Sequence, residues 1–155
     1  PAPRAKRDAE RHRLLVAVVE DDSGVLLFRR PDDSALLAGT WELPWMSRER
    51  GGVPEPGDPQ AVLAARYGGR WTIGPRVGGV RHGITYRDLE IDVHRAELAW
   101  GGEVREGMAA GFFNEAGRAG LPLSSLVGKV LAAVSGTGTT STAEAPARRS
   151  RSRRR

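Results

Sequence analysis

The 155-residue chain contains no cysteine. Disulfides, thiolate zinc sites, cysteine-held iron–sulfur clusters and cysteine nucleophiles are therefore excluded within it, and the redox compartment stays open with a lean to the cytoplasm. Histidine is scarce: His12, His82 and His94 are the three present, and they form no cluster with carboxylates at metal-ligand spacing. No apolar run approaches the roughly 20 residues that a membrane-crossing helix needs. The start, Pro1-Ala2-Pro3-Arg4, has no apolar signal core, so nothing here reads as a span or a targeting segment. A Gly-x-Ser-x-Gly nucleophile elbow is also missing. Acidic residues are absent from one long stretch: between Pro59 and Arg87 there is no Asp or Glu, while Arg66, Arg70, Arg76, Arg81 and Arg87 fall within it. That segment either presents a local positive surface to phosphates or is a solvated face balanced by acids elsewhere in space.

What is present fits one ordinary globular domain, with 39% hydrophobic and 28% charged residues. The net charge of +5 is not spread evenly. Residues 143–155 carry six Arg against Glu144, and residues 1–13 carry Arg4, Lys6, Arg7, Arg11 and Arg13 against Asp8 and Glu10. The stretch 14–142 sums to −3, so the domain itself is not uniformly basic. Residues 1–13 read as a linker, and 135–155 (Ser/Gly/Thr, then Ala/Pro, then Arg/Ser) as a disordered Arg-rich tail. A start inside a linker, without an initiator Met, leads us to expect a fragment whose catalytic part lies upstream.

Between the tails, Leu14–Val19 and Val25–Phe28 are apolar runs joined by the turn Asp21-Asp22-Ser23-Gly24, a hairpin signal. Pro59–Tyr67 reads as a helix with Asp58 as its cap and Gly68-Gly69 as its stop. Leu89, Ile91 and Val93 alternate with Glu90, Asp92 and His94, the period of a strand with one buried face. In Ser124–Val134 the apolar residues Leu126, Val127, Val130, Leu131 and Val134 share one face of a closing helix. No internal repeat is present. The pairs Asp21-Asp22 and Asp32-Asp33 sit where Asp serves turns.

The segment Leu26-Leu27-Phe28-Arg29-Arg30-Pro31, followed by Leu36-Leu37-Ala38-Gly39-Thr40-Trp41-Glu42-Leu43-Pro44, resembles the entry to the Nudix-like C-terminal domain of the A/G-specific adenine DNA glycosylases. That family's pattern is a strand ending in Arg-Arg-Pro, then Leu-Leu-Ala-Gly-x-Trp-Glu-Phe-Pro. Val80-Arg81-His82-Gly83-Ile84-Thr85-Tyr86 resembles its His-x-Phe-Ser-His loop, and Gly120-Leu121-Pro122-Leu123 with Lys129-Val130-Leu131 its closing segment. The match runs in order from about Leu14 to Val134. It implies a Nudix-like α/β/α sandwich with a mixed sheet over residues 14–134. It also implies a function: recognition of 8-oxoguanine opposite adenine in double-stranded DNA, with excision left to a glycosylase domain in cis. The iron–sulfur cluster would belong to that domain, and this segment would hold no cofactor. The resemblance further suggests a monomer at the bacterial nucleoid.

His82, Thr85 and Tyr86 match the His, Ser and final His of the family loop, and Ile84 stands at the Phe position. Arg81, Arg87, Arg29 and Arg30 are the candidate phosphate contacts. Thr85 keeps the hydroxyl; Tyr86 replaces an imidazole with a phenol, and Ile84 lacks a stacking face. From the residues alone, Trp41 with Leu43 reads as core before stacking platform, Gly39 as a turn residue, and His82 as a structural histidine before a ligand.

A working Nudix enzyme needs several Glu on one helix to hold Mg²⁺ against substrate phosphates. Its pattern is G-x5-E-x7-R-E-hydrophobic-x-E-E-x-G. From Gly52, Asp58 falls on the first Glu and Arg66 on the Arg, but Tyr67, Arg70 and Trp71 replace the next three carboxylates. Aligning instead by Ala61, Val62 and Leu63 places Ala65 and Arg66 at the Glu pair. Where Pro-Gly-Gly should follow the strand, the chain has Pro44-Trp45-Met46. Two alternatives stay open: a free-standing nucleotide pyrophosphohydrolase with a degenerate box, and a Nudix-fold interaction module whose Arg tail alone touches nucleic acid.

Overall fold

A strand covered on both faces needs apolar residues at every position, whereas a strand with one wet face alternates. The computed structural model, which describes residues 10–31, 39–84, 87–100 and 108–138, contains both kinds. In chain order the elements are β1 (Glu10–Val18), β2 (Glu20–Asp21), β3 (Gly24–Arg29), β4 (Trp41–Glu42), β5 (Trp45–Arg50), β6 (Val53–Pro54), α1 (Pro59–Tyr67), β7 (Arg70–Ile84), β8 (Arg87–Ala99), β9 (Ala109–Phe113), α2 (Glu115–Ala119) and α3 (Ser125–Gly138).

Five strands form one sheet in the order β6-β5-β1-β8-β7, and β2, β3, β4 and β9 form a second around β3. β1 runs parallel to β8 and antiparallel to β5, so the larger sheet is mixed. The apolar run of β1 is accounted for by its central place in that sheet, and Leu15, Val16, Ala17 and Val18 are all at most 2% exposed. β8 alternates as its sequence dictates: Ile91 and Val93 are fully buried, while Asp92 and His94 are not.

Alternation along β1 and β3 divides the core in two. Leu15, Ala17, Leu26 and Phe28 meet Leu63 and Tyr67 of α1 and Trp71. On the other side Leu14, Val16, Leu27, Ile91 and Val93 meet Val127, Val130 and Val134 of α3. Strand layers thus lie between two helices, the expected α/β/α sandwich with a mixed sheet. Local chemistry sets the element ends. Asp58 accepts a hydrogen bond from Ala61 N at 3.2 Å to cap α1, and Ser124 Oγ accepts from Leu126 N at 3.2 Å at the start of α3. Gly24 is required where it stands: its φ is +135° and an added Cβ would sit 2.2 Å from the Phe113 backbone.

Two boundaries differ from the sequence expectation. β1 starts at Glu10, so residues 10–13, read as linker, belong to the sheet. They pair with β8 along the backbone, and the Arg13 side chain is held by cross-strand charge pairs, its Nε donating to Asp92 at 2.9 Å and its guanidinium 3.7 Å from Glu90. At the other end α3 continues to Gly138, past Val134. The Arg-rich part of the tail lies outside the described residues, as does Asp32-Asp33.

Candidate functional site

Of the segment read as a loop, 81–87, the described residues belong to two long paired strands. Residues 81–84 continue β7, and Ile84 pairs with Arg87 where β8 begins. The backbone ladder overrides the loop reading because Arg81, His82 and Gly83 each face a β8 residue: Glu90, Leu89 and Asp88. Thr85, Tyr86 and the Ile84 side chain lie outside the described residues.

Strand alternation then separates two neighbours that the sequence placed in one site. His82 pairs with Leu89 and stands on the face that α3 covers, and Arg87 shares that face two residues before Leu89. Arg81 points to the opposite face. There, with Arg11, Arg13, Glu49, Asp88 and Glu90, it lines a small polar depression of about 110 Å³. Nearby, Asp92 receives hydrogen bonds from both Arg13 and Arg76 at 2.9 Å. Its partial burial pushes the carboxyl up, but these two partners offset that and leave it below the usual value.

On the α3 side is a larger cleft of about 520 Å³. Its floor and walls come from β1 (Leu14, Val16), Leu43, Trp45, Leu89 and the start of α3. Arg30, Arg50, His82 and Arg87 bring polar groups to it, and Glu42 is the one carboxylate among its lining residues. Three of the seven expected contacts, Arg30, His82 and Arg87, therefore converge on one concavity. Arg29 ends β3 and packs its guanidinium toward Gly39, where an added Cβ would meet it at 3.3 Å; it is not among the cleft residues.

His82 and Arg30 are held in place by neighbours. His82 Nδ1 lies 2.9 Å from Lys129 Nζ on α3. Burial and the adjacent ammonium hold the imidazole below its ordinary value, so the neutral ring accepts from Lys129 and keeps its remaining N–H as a donor. Glu42 accepts from Arg30 Nε at 3.3 Å and from Trp45 Nε1 at 3.4 Å. Burial raises its carboxyl above the usual range, only partly countered by Arg30 and Trp45. The Arg66 guanidinium of α1 lies 4.1 Å over the Trp45 ring. Tyr67 donates its hydroxyl proton to Trp45 O and accepts from Trp45 N, and burial pushes its pKa up to about 12.

The sequence pattern did not single out Trp45, Ser47 or Glu42 as site residues. Trp45 and Ser47 follow from the pairing of β5 with β1, which no local signal in Trp45–Arg50 announces, and Glu42 from the pairing of β4 with β3.

The helix that would carry metal ligands in a Nudix enzyme is α1, and its residues do not fit a divalent cation. Pro59–Tyr67 has no carboxylate, and Asp58 is engaged as the cap. Among the described residues no three His, Asp or Glu side chains form a group able to hold a metal ion.

No protein-family model matches the chain. Solved structures do resemble it. The MutT protein from Methanosarcina mazei Go1 superposes with a TM-score of 0.66 at 15% identity, over 88% of this chain and 99% of that one. A Nudix hydrolase from Nitrosomonas europaea gives 0.60 at 14% identity, over 84% and 91%. The chain has the Nudix fold. The C-terminal domain of mouse MUTYH, in complex with human PCNA, shares this fold with a TM-score of 0.58 at 24% identity, over 88% and 93%.

Proposed function

We propose that this Nudix-fold chain is a non-catalytic reading domain that recognises 8-oxoguanine opposite adenine in double-stranded DNA, acting with a glycosylase domain in cis. The observation that carries the reading is a pairing of one presence with one absence. The hairpin tip brings His82 and Arg87 to the mouth of a cleft, while α1 has no carboxylate with which to hold a catalytic metal. The ordered likeness of residues 14–134 to adenine DNA glycosylases supplies the lesion. Iron–sulfur chemistry and base excision belong to the partner domain, and this segment contributes discrimination and phosphate grip.

The recognition chemistry is specific. 8-Oxoguanine differs from guanine by an N–H at position 7 and a carbonyl at position 8, so its reader needs an acceptor and a donor side by side. The Thr85 hydroxyl offers both, and the N–H that neutral His82 retains is a further donor at the same tip. Arg87 adds charge for the backbone, where contacts position without specifying. The neighbour solved with PCNA supports a place for such a domain in protein assemblies.

The test is the affinity of the chain joined to its glycosylase domain for duplexes carrying 8-oxoguanine:adenine or guanine:adenine. The lesion duplex is expected to bind several-fold more tightly, and Thr85→Val to remove most of that margin, as loss of one hydrogen bond of about 1 kcal/mol would. Equal affinity for both duplexes overturns the reading.

The hydrolase likeness of other neighbours favours a second reading, a nucleotide pyrophosphohydrolase. Metal-dependent release of phosphate or pyrophosphate from oxidised nucleoside triphosphates, lost on replacing one acid, would establish it in place of the first.

A further inference from the structure

β7 is an outer strand of the larger sheet. It is 15 residues long, and among the described residues it pairs with β8 alone. Every second residue of such a strand turns its N–H and C=O away from the sheet, and proteins ordinarily blunt an edge of this kind with prolines, bulges or covering groups. The half of β7 next to α1 is blunted in all three ways. Gln60 Oε1 of α1 accepts from Ile73 N at 3.0 Å, Pro75 has no N–H to offer, and the ladder to β8 slips between Ile73 and Arg76 and again between Arg76 and Gly78. The other half has none of these devices. From Gly78 to Ile84 the pairing with β8 is unbroken over seven consecutive residues, and Gly79, Arg81 and Gly83 are exposed. β8 is itself fixed on its far side by β1, so the bare edge belongs to a braced sheet and not to a loose ribbon.

Charge decides what kind of strand fits there. Glu90, opposite Arg81, is 3.7 Å from Arg13, and Asp92 takes both Arg13 and Arg76. The Arg81 guanidinium forms no ion pair with any described residue. The acids also stand on β8, one strand spacing of about 4.8 Å further in, so an incoming strand meets Arg81 first. Beside Arg81 there is room, since an added Cβ at Gly83 would have nothing within 4 Å. Val80, the residue before Arg81, faces the other way and packs against the α3-side core. A partner strand that suits both faces alternates acidic and apolar side chains.

We propose that residues 78–84 receive an extended acidic segment of another protein as a sixth strand of this sheet, with its carboxylates on the Arg81 face and its apolar residues on the Val80 face. Main-chain hydrogen bonds give such a contact its affinity, and the alternate side chains its choice of partner. The site lies outside the cleft and does not rest on lesion reading. A second copy of the chain fits less well, because antiparallel pairing of two identical edges about the middle of 78–84 sets Arg81 against Arg81.

Backbone NMR of the full chain, titrated with acetyl-Glu-Val-Glu-Val-Glu-Val-Glu-amide, tests it. Saturable shifts centred on residues 78–84 are expected, with slowed exchange of alternate amides there. The same peptide N-methylated at every residue keeps its charges but cannot donate to the ladder, and should not bind. Arg81→Glu changes one exposed side chain and turns an attractive cross-strand pair into a repulsive one, so it should weaken the peptide about fivefold or more. Absence of saturable shifts, shifts centred elsewhere, equal binding of the N-methylated peptide, or an affinity unchanged by Arg81→Glu overturns the proposal. So does protection of 78–84 in a self-associated chain without peptide, which gives the edge to a second copy, or protection by duplex DNA and not by the peptide, which gives it to nucleic acid. The lesion preference of the joined protein is measured separately and decides only the earlier reading.

Discussion

The two faces of the five-stranded sheet are built from the same strands and have come to differ in kind. On the α1 side Phe28, Tyr67 and Trp71 close on one another, with Phe28 and Tyr67 ring centres 4.4 Å apart and Tyr67 and Trp71 6.1 Å apart. Past the helix that face turns into a lattice of ion pairs around Asp92. On the α3 side the core is aliphatic, and Leu14, Val16, Leu43 and Val127 belong both to the core and to the cleft lining. The difference separates two uses of the fold. The helix that holds the metal in Nudix enzymes has here become packing, through Leu63, Tyr67 and the Arg66–Trp45 stack, while the opposite face keeps an opening with polar groups turned into it.

Deep truncation on the closed face should give the largest effect. Phe28 is 1% exposed and touches both Tyr67 and Trp71, so Phe28→Ala leaves a cavity among aromatics that cannot collapse, and is expected to cost about 3–5 kcal/mol. Leu89→Ala on the open face removes a side chain that already borders the cleft and should cost less than half of that. Urea denaturation of the two variants decides it; equal losses would mean that the cleft side is as tightly packed as the α1 side.

A smaller effect separates the two arginines that strand alternation sends to opposite faces. Arg87→Ala, on the cleft face, should weaken both duplexes alike by several-fold, leave the lesion preference unchanged and reduce the salt slope by about one phosphate contact. Arg81→Ala, on the far face, should do less of each. Binding measured across a salt series tells them apart. If Arg81→Ala has the larger effect, DNA lies on the α1 side and the cleft is not part of the reading surface.

How much of this was legible follows from which signals are local. The β1 run, the Asp21–Gly24 turn, the Asp58-capped helix and the alternation of β8 are written in consecutive residues, and each appears where the sequence puts it. The start of β1 was not legible, because Glu10–Arg13 is polar and joins the sheet through ladder pairing with β8 and β5 and through Arg13's charge pairs with Asp92 and Glu90, all distant in sequence. β5 was hidden for the same reason: Trp45-Met46-Ser47-Arg48-Glu49-Arg50 has no clean period, and its pairing with β1 alone brings Ser47 under the cleft. The division of Arg81 from His82 could have been anticipated, since adjacent residues in a strand face opposite ways. Reading that segment as a loop concealed it.

The smallest expected effect concerns the ionisable contact between His82 of the hairpin and Lys129 of α3. In the folded chain burial, and to a lesser degree the Lys129 ammonium 2.9 Å away, hold the His82 imidazole below its ordinary value of about 6.5. The unfolded chain therefore takes up the proton first as pH falls. Stability from this contact is fully present above about pH 6.5 and is lost as the pH drops through the lower value of the folded state. Lys129→Met removes the charge but not the burial. His82 should then titrate closer to 6.5, with part of its depression remaining, and stability should fall less steeply between pH 7 and pH 5. Ring-proton NMR across that range reads the titration directly. An identical His82 titration in the two proteins would show that Lys129 does not hold the ring, and would free the hairpin tip from α3. If the contact stands, acidification also adds a positive charge at the cleft mouth, so DNA affinity should rise below pH 6 without gain in lesion preference, because the added attraction is to phosphate and not to a base edge.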